Sequence, residues 1–505
     1  MKTLTTDHSP LTTDDSQLTM INIPAIAIFD IGKTNKKIFL FDEKYTKVYE
    51  ETIQLKETVD EDGDVCEDLA LLTEWVKNIF EKIIQLPGFE IKAINFSAYG
   101  ASFVHIMEEG QSLLPLYNYL KPYPKKLQQE FYDTYGGEMK IAKETASPLS
   151  GNLNSGLQLY RIMKQQPEIF KTIHSSLHLP QYLCFLITNQ RFSDITSIGC
   201  HTSLWNFEKG NYHQWVMNEG IDKKLAPVQK GDKTVEVFYQ DKKIIAGIGL
   251  HDSSAALIPY LLNFIEPFIL ISTGTWCISL NPFNNTALTE DELNNDCLCY
   301  IQYQGLPVKA NRLFAGYEHE KQVKDLSLHF LKPVDYFQQV SYDEAVVKKL
   351  TTGRWGHQAG HQHGLTAVVG VPTDHSDQIA TTKLGNSKSV PNDEKNFADL
   401  RPVIFSNYEE AYHQLMINIV DRQVKSTTTI LNGTTVKRIF VDGGFSKNPI
   451  YMNLLAQAFP MMEVFAASMA QATAMGAALA IHQHWNTQSI PGDIIQLKMY
   501  TAPKS

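Results

Sequence analysis

A chain of 505 residues is longer than one ordinary core organises, so two large domains are expected. With 43% apolar and 20% charged residues it is globular, which excludes a disordered or fibrous chain. The formal net charge of -10 excludes a general nucleic-acid binder, which would present a basic face.

Met1 to Thr19 is rich in Thr, Ser and Asp and lacks the basic-then-apolar order of a signal or transit peptide. Residues 1–20 therefore read as a short disordered extension. No apolar run is long enough to span a bilayer. Cys66, Cys184, Cys200, Cys277, Cys297 and Cys299 form no C-x-x-C pair and are too sparse for a disulfide scaffold. A reducing, cytoplasmic setting with no membrane contact is the expectation. Cys297-x-Cys299 reads as part of a strand or loop without a metal.

From Ala25 the pattern turns to β. Ala25–Phe29, Ile38–Phe41 and Lys47–Leu55 predict antiparallel hairpins, with Asp30–Lys36 at the first bend. Leu69 to Leu86 carries Leu72, Trp75, Val76, Ile79, Phe80 and Ile83 at helical spacing. Ala93–Ser97 predicts the next strand and Phe103–Met107 its hairpin partner. Such a mixture argues for a mixed sheet flanked by helices. Lys125 to Glu219 reads as mostly helical, including Leu157–Lys164 and Pro180–Leu186. Ile244–Leu250 predicts a strand ending at His251-Asp252, followed by a helix from Ser253 to Leu262.

The opening pattern then recurs. Phe268–Ser272 predicts a strand, Thr273-Gly274-Thr275 a turn, and Trp276–Leu280 a returning strand. This repeat suggests two related domains, 21–254 and 255–505, meeting near Ser253–Ile258, each giving one turn to a shared cleft. Lys383–Asn396 reads as a surface loop. Tyr408–Leu431 predicts a long helix, Val436–Val441 a strand, and Asn448–Phe459 and Ala470–His482 two helices.

The chemistry concentrates at the turns. Asp30 ends an apolar strand, where a carboxylate can hold Mg²⁺ directly or through water. Gly32 permits a tight turn; Thr34 and Asn35 offer hydroxyl and amide groups; Lys33, Lys36 and Lys37 offer charge for a triphosphate. Thr273, Gly274 and Thr275 offer hydroxyls and N–H groups to the other side of the same phosphates. Gly443-Gly444 lets an adenine or ribose lie against backbone, with the helix start at Asn448 beneath. Asp252 stands where two halves meet, suited to orienting an accepting hydroxyl and taking its proton. A helix N-cap is the alternative role for Asp252, and His251 reads as its structural neighbour. His357, His361 and His363 have metal-ligand spacing, but with no Cys or carboxylate nearby they read as a solvent loop. Three glycine-threonine turns in this order look like an ATP-dependent kinase.

Together these motifs resemble the FGGY family of carbohydrate kinases, from Ile26 to His482. The resemblance implies an α/β fold of two actin-like, ribonuclease-H-like ATPase domains around a central cleft. Asp30–Lys37 resembles the first phosphate motif, Gly249–Ala256 the segment with the catalytic Asp, and Ser272–Trp276 the second phosphate motif. Val441–Asn448 with Ala472–Ala478 resembles the adenosine motif and its trailing helix. Leu179–Leu183 and Ser193–Thr196 also resemble family segments. Ser97-Ala98-Tyr99-Gly100-Ala101 would line the sugar pocket with Tyr119, His251, Asp252 and Trp276. Three departures stand out. Lys33 replaces a common Thr, Gln471 replaces a common acidic residue, and Pro115–Pro122 lacks an Asp-x-Arg. The implied activity is transfer of the ATP γ-phosphoryl group, with Mg²⁺, to a hydroxyl of a small sugar. A 6-deoxy-ketohexose or a pentulose is the expected acceptor. A catalytically weak ATP- and sugar-binding sensor of the same fold is the alternative, and the resemblance also admits a homodimer.

Overall fold

The computed structural model describes residues 22–351, 405–469 and 471–502. The Met1–Thr19 extension, Ala470, the His357/His361/His363 segment and the Lys383–Asn396 loop lie outside the described residues.

Two sheets repeat one plan. The first contains β1 (Ile23–Ile31), β2 (Lys36–Asp42) and β3 (Lys47–Ile53). A short acidic hairpin follows, β4 (Glu57–Val59) and β5 (Val65–Glu67). Helix α1 (Leu69–Ile84) is capped by Asp68, which accepts from the N–H groups of Ala70 and Leu71. Its buried stripe of Leu72, Trp75, Val76, Ile79, Phe80 and Ile83 is the one read from spacing. Next comes β6 (Phe89–Ala98), parallel to β1, while β2 and β3 run antiparallel on the other side.

Phe103–Ile106 (β7) does not return along β6 as predicted. It pairs antiparallel with β8 (Ser175–His178) in a separate ribbon. Both sides of β6 are already paired, with β1 on one and Lys242–Gly247 on the other, and Ala101 at a left-handed φ of 59° turns the chain away. Phe103 then stacks on His178 at 3.9 Å.

Helix α2 (Leu179–Thr188) precedes β9 (Thr234–Tyr239), β10 (Lys242–Gly247) and β11 (Leu250–His251). The predicted strand Ile244–Leu250 is therefore broken in two. Gly249 sits at φ +86°, and a Cβ there would stand 2.6 Å from the Pro180 carbonyl oxygen. Only glycine lets the chain kink beneath α2 and resume pairing with β6.

Helix α3 (Asp252–Asn263) leads into the second sheet: β12 (Phe268–Thr273), β13 (Cys277–Asn281), β14 (Cys297–Ile301) and β15 (Pro307–Leu313). The chain continues through α4 (Ala315–His329), α5 (Tyr408–Leu431), β16 (Arg438–Gly443), α6 (Pro449–Ala458), β17 (Glu463–Ser468), α7 (Ala472–Ala480) and β18 (Gln496–Tyr500). In sheet one, β3-β2-β1 is antiparallel and β6 and β10 follow in parallel. In sheet two, β15-β13-β12 is antiparallel and β16 and β17 follow in parallel. The faint repeat in the sequence is thus a real architectural repeat, and the fold is the paired α/β arrangement expected.

The expected junction at Ser253–Ile258 lies inside α3, so a helix joins the halves. Its partner is α7: a Cβ on Gly476 would stand 1.8 Å from the Ala255 carbonyl oxygen, so the helices touch backbone to backbone. Asn95 donates from β6 to the Ala477 carbonyl at 2.8 Å. A shared apolar layer joins Ile26, Ile28 and Phe39 of the first sheet to Leu270, Phe440 and Ala477 of the second half. This layer fixes which strand faces look into the cleft.

Candidate active site

Alternation along β1 decides where Asp30 points. Ile26 and Ile28 face the layer between the halves, so Asp30 faces it too. The Thr473 hydroxyl of α7 donates to Asp30 Oδ2 at 2.8 Å. Burial raises the Asp30 pKa to about 6; the Asp252 charge adds to the rise, while Thr473 and Lys37 oppose it.

Asp252 is the first residue of α3, and His251 occupies the cap position without a side-chain bond. The N-cap alternative is therefore not its geometry. Asp252 Oδ1 accepts from the Ser253 N–H at 2.6 Å, and the side chain keeps 34% of its surface exposed. Burial raises its pKa to about 6, partly offset by the Ser253 bonds. His251 Nε2 lies 3.2 Å from Asp252 Oδ1 and 3.4 Å from Cys200 Sγ. Burial lowers the His251 pKa to about 4, so the ring is neutral at pH 7. It stacks on Tyr300 at 5.7 Å. The segment is pinned from behind: Thr196 Oγ1 accepts from the His251 N–H at 3.0 Å, and Gln181 donates to the Gly249 carbonyl at 2.9 Å. The family-like segments Leu179–Leu183 and Ser193–Thr196 thus act by holding His251-Asp252.

Two partly ionised carboxylates facing one cleft have consequences for pH. Their raised pKa values mean the folded state binds protons that the unfolded chain releases above pH 4. The stability they contribute is present below that pH and lost as pH rises through about 6. Asp30→Asn should therefore raise the unliganded Tm at pH 8 above wild type, with a smaller gap at pH 5; thermal melts at the two pH values check this. A base at Asp252 must be deprotonated, so kcat/KM for the acceptor should climb through about pH 6 and level off above it.

The first phosphate turn is tight: the Gly32 N–H donates to the Asn35 carbonyl at 2.9 Å. Its lysines separate by face. Lys37 stands opposite Asp30 in the β1–β2 register, on the cleft side, with Glu50 at 3.9 Å. Lys36 points the other way and is buried. It donates to the carbonyls of Gly32 and Lys33 at 3.1 and 3.0 Å and pairs with Glu67. Lys36 is thus a strut of the turn rather than a charge offered to phosphate. Lys33 reaches Glu57 at 3.4 Å and lies 5.9 Å from the Tyr99 ring centroid, beside the sugar loop. Thr34 is exposed, and Asn35 Oδ1 accepts from Gln54 at 2.9 Å.

Across the cleft, Thr273 braces two turns. Its hydroxyl donates to the Asp442 carbonyl at 2.5 Å and accepts from the Phe445 N–H at 3.0 Å. That hydroxyl is already engaged, so Gly274 and Thr275, both exposed, are what the turn offers. A cavity of about 680 Å³ opens here, lined among others by Gly274, Gly316, His319, Phe337, Gly444 and Asn448. Asn448 caps α6, accepting from Ile450 and Tyr451 N–H groups at 3.0 and 3.1 Å. A Cβ on Gly274 or Gly444 would meet no protein atom closer than 3.9 Å, so the open space beside both glycines belongs to the cavity. His319, neutral because burial lowers its pKa to about 4, stands edge-on to Phe337 and Phe445 as an aromatic wall. The size and the mix of aromatic and backbone surface fit a nucleoside. Lys37→Ala and Thr275→Val should each raise KM for ATP while leaving the unliganded Tm within a few degrees; a collapse in Tm would make them structural.

At the sugar loop, a Cβ on Gly100 would stand 2.7 Å from the His251 ring, so glycine lets the ring reach Asp252. Tyr99 is buried with its hydroxyl on Glu67, and Tyr119 lies 6.0 Å from the Tyr99 ring. The Asp252 charge is felt at Tyr119. Trp276 stands in the second half, tilted against Phe314 with ring centroids 4.4 Å apart and the Arg312 guanidinium 5.6 Å from its ring. Glu67, Tyr300, Arg312 and His319 were not read from the sequence, and Thr473 was read only as part of the trailing helix Ala472–Ala478, without its contact to Asp30. None belongs to a turn motif. Arg312 alternates with Ala310 and Val308, which a strand reading of Pro307–Leu313 would have put on the cleft face.

The N-terminal-domain model of the FGGY family of carbohydrate kinases matches residues 25–257, and its C-terminal-domain model matches 409–482. The chain belongs to the FGGY family of carbohydrate kinases. It is similar to a rhamnulokinase of Halalkalibacterium halodurans, 23% identical over 258 residues, which is 49% of this chain and 52% of that protein. The matched stretch thus spans about half the length of that curated relative. Among solved structures, a carbohydrate kinase from Novosphingobium aromaticivorans aligns with a TM-score of 0.71 at 20% identity, over 95% of this chain and 97% of that one. A xylulose kinase from Lactobacillus acidophilus aligns with a TM-score of 0.71 at 15% identity, over 95% and 94%. These likenesses show the fold. Among the described residues, no helix is long and apolar enough to cross a membrane.

Proposed function

We propose that the protein transfers the γ-phosphoryl group of ATP to a hydroxyl of a small ketose. The observation that carries this reading is Asp252. It is a carboxylate with its pKa raised to about 6, part-exposed, next to His251 and close enough to Asp30 for their charges to interact. A sugar hydroxyl hydrogen-bonded to Asp252 loses its proton to that carboxylate as its oxygen bonds to the γ-phosphorus. The bond from that phosphorus to the bridging oxygen of ADP breaks in line. Neutral His251 holds the carboxylate in place. Lys37 and the Gly274–Thr275 turn stabilise charge on the transferring oxygens. Asp30 suits a divalent cation: it is a buried carboxylate close enough to Asp252 for their charges to repel, with Lys37 as the nearby cation and the Thr473 hydroxyl as a hydrogen-bond donor. Mg²⁺ bound there would neutralise triphosphate charge. Closing the halves would exclude water.

The acceptor proposed is a 6-deoxy-ketohexose, with a pentulose as the second choice. The paired rings of Tyr99 and Tyr119, in a loop region without the Asp-x-Arg pair, suit an apolar edge such as a methyl group, with Trp276 of the second half as the expected third ring. Recognition of one methyl is worth about 1–3 kcal/mol, so preference over the hydroxylated analogue should be modest, about 10–200-fold. Ratios of kcat/KM for ketose pairs differing only at that carbon test it. A preference for the hydroxylated sugar would remove the 6-deoxy assignment. Binding of both ligands without ADP release from any sugar would select the sensor reading.

A further inference from the structure

The segment Pro115–Pro122, which lacks the Asp-x-Arg pair, is held by the acidic hairpin Glu57–Glu67. Lys121 is the anchor. Its ammonium lies 2.5 Å from Asp60 Oδ2, 2.8 Å from Asp62 Oδ2 and 3.3 Å from Asp64 Oδ2, and its side chain is 2% exposed. The three carboxylates are close enough to one another to hold a metal ion, and the ammonium stands among them as a built-in cation. The turn is shaped to do this: Asp60 Oδ1 accepts from the N–H groups of Asp62 and Asp64 at 3.0 and 3.1 Å. Arg161 supplies a second positive charge to Asp62 at 2.7 Å. The same segment is tied at two further points, Tyr117 donating to Glu61 and Asn118 donating to the Val65 carbonyl at 3.1 Å.

The other end of the hairpin grips the rest of the site. Glu67 accepts from the Tyr99 hydroxyl of the sugar loop and pairs with Lys36 of the phosphate turn. Glu57 pairs with Lys33 of that turn at 3.4 Å. One hairpin therefore touches the phosphate turn, the sugar loop and the Tyr119 segment. Tyr119 itself lies between Asn118 and Lys121, both of them anchored, with its ring 6.0 Å from Tyr99.

We propose that the hairpin Glu57–Glu67 is a positioning device in which Lys121, caged by three aspartates, sets Tyr119 against the sugar loop, while Glu67 locks that loop to the phosphate turn. Lys121 is a positioning residue that touches no substrate. The inference rests on the kinase reading for its kinetic arm and on the hairpin contacts alone for its structural arm.

The test compares wild type, Lys121→Met and Lys121→Arg in the full chain, with L-rhamnulose and D-xylulose as acceptors. Lys121→Met should raise KM for the accepted ketose by about 10-fold or more, with kcat and KM for ATP within about 3-fold of wild type. Lys121→Arg keeps a cation in the cage and should restore most of the loss. Amide hydrogen exchange on the unliganded proteins supplies the second readout. In Lys121→Met, exchange should quicken both in 115–122 and in 97–102, the sugar loop that has no direct bond to Lys121. Exchange confined to 115–122, or kcat and both KM values shifting together, overturns the positioning role. Should Lys121→Met fail to fold, Asp64→Asn, which removes an outer carboxylate, is read by the same two measures. Absence of turnover by wild type on either ketose counts against the proposed substrate class, and the exchange result then decides the hairpin inference by itself.

Discussion

Asp252→Asn will keep ATP and sugar binding and lower kcat by about 10²–10⁴, the usual worth of a positioned acid–base group. The amide matches the carboxylate in shape and can still accept the Ser253 N–H, which approaches Oδ1 at 2.6 Å. It cannot take a proton. His251 is a poor substitute base, since burial lowers its pKa to about 4 and its ring is stacked on Tyr300. Folding should not suffer: burial raises the Asp252 pKa to about 6, so a neutral side chain removes a cost that the charged form carries at pH 7 and above. Loss of kcat together with an equal or higher unliganded Tm is the expected signature. Near-normal kcat would remove Asp252 from the mechanism.

Gly443→Ala should be the most damaging change on the nucleotide side. Gly443 takes φ +90°, and a Cβ there would stand 2.0 Å from the Thr273 carbonyl oxygen. Backbone strain of about 1–3 kcal/mol adds to overpacking of about 1–3 kcal/mol. The structure can relieve the clash only by parting β12 from β16. That breaks the bond from the Gly444 N–H to the Thr273 carbonyl at 2.9 Å and the Thr273 hydroxyl brace, and both turns border the cavity proposed for the nucleotide. A fall in Tm and a rise of about 10-fold or more in KM for ATP should appear together. Gly444→Ala is the matched control. A Cβ there meets nothing closer than 3.9 Å, so its Tm should stay near wild type and any change should fall on ATP alone.

Periodic stretches were legible in the sequence because burial on one face repeats. Tyr408–Leu431 and the stripe on α1 appear as read. The turns at Gly32 and Gly274 were legible for a related reason: a strand, a glycine and a returning strand are local. What was not legible depends on partners far along the chain. Phe103–Ile106 has the composition of a hairpin strand, yet its partner is Ser175–His178. The hairpin Glu57–Glu67 has almost no apolar face, and its role lies in ion pairs to Lys36 and Lys121 that spacing does not reveal. Lys36 was within reach. It lies two residues before Ile38, which packs under α1, so alternation places it on the buried side and Lys37 on the cleft side.

Sugar-dependent ADP release tests the central claim most directly. Wild type and Asp252→Asn would be given ATP, Mg²⁺ and a panel of 6-deoxy-ketoses, pentuloses, other ketohexoses and polyols, with phosphorylated product measured beside ADP. At least one ketose should drive wild-type ADP release, matched one to one by sugar phosphate, and Asp252→Asn should lose it while still binding ATP. Sugar-independent ADP release of equal rate in both proteins would contradict it.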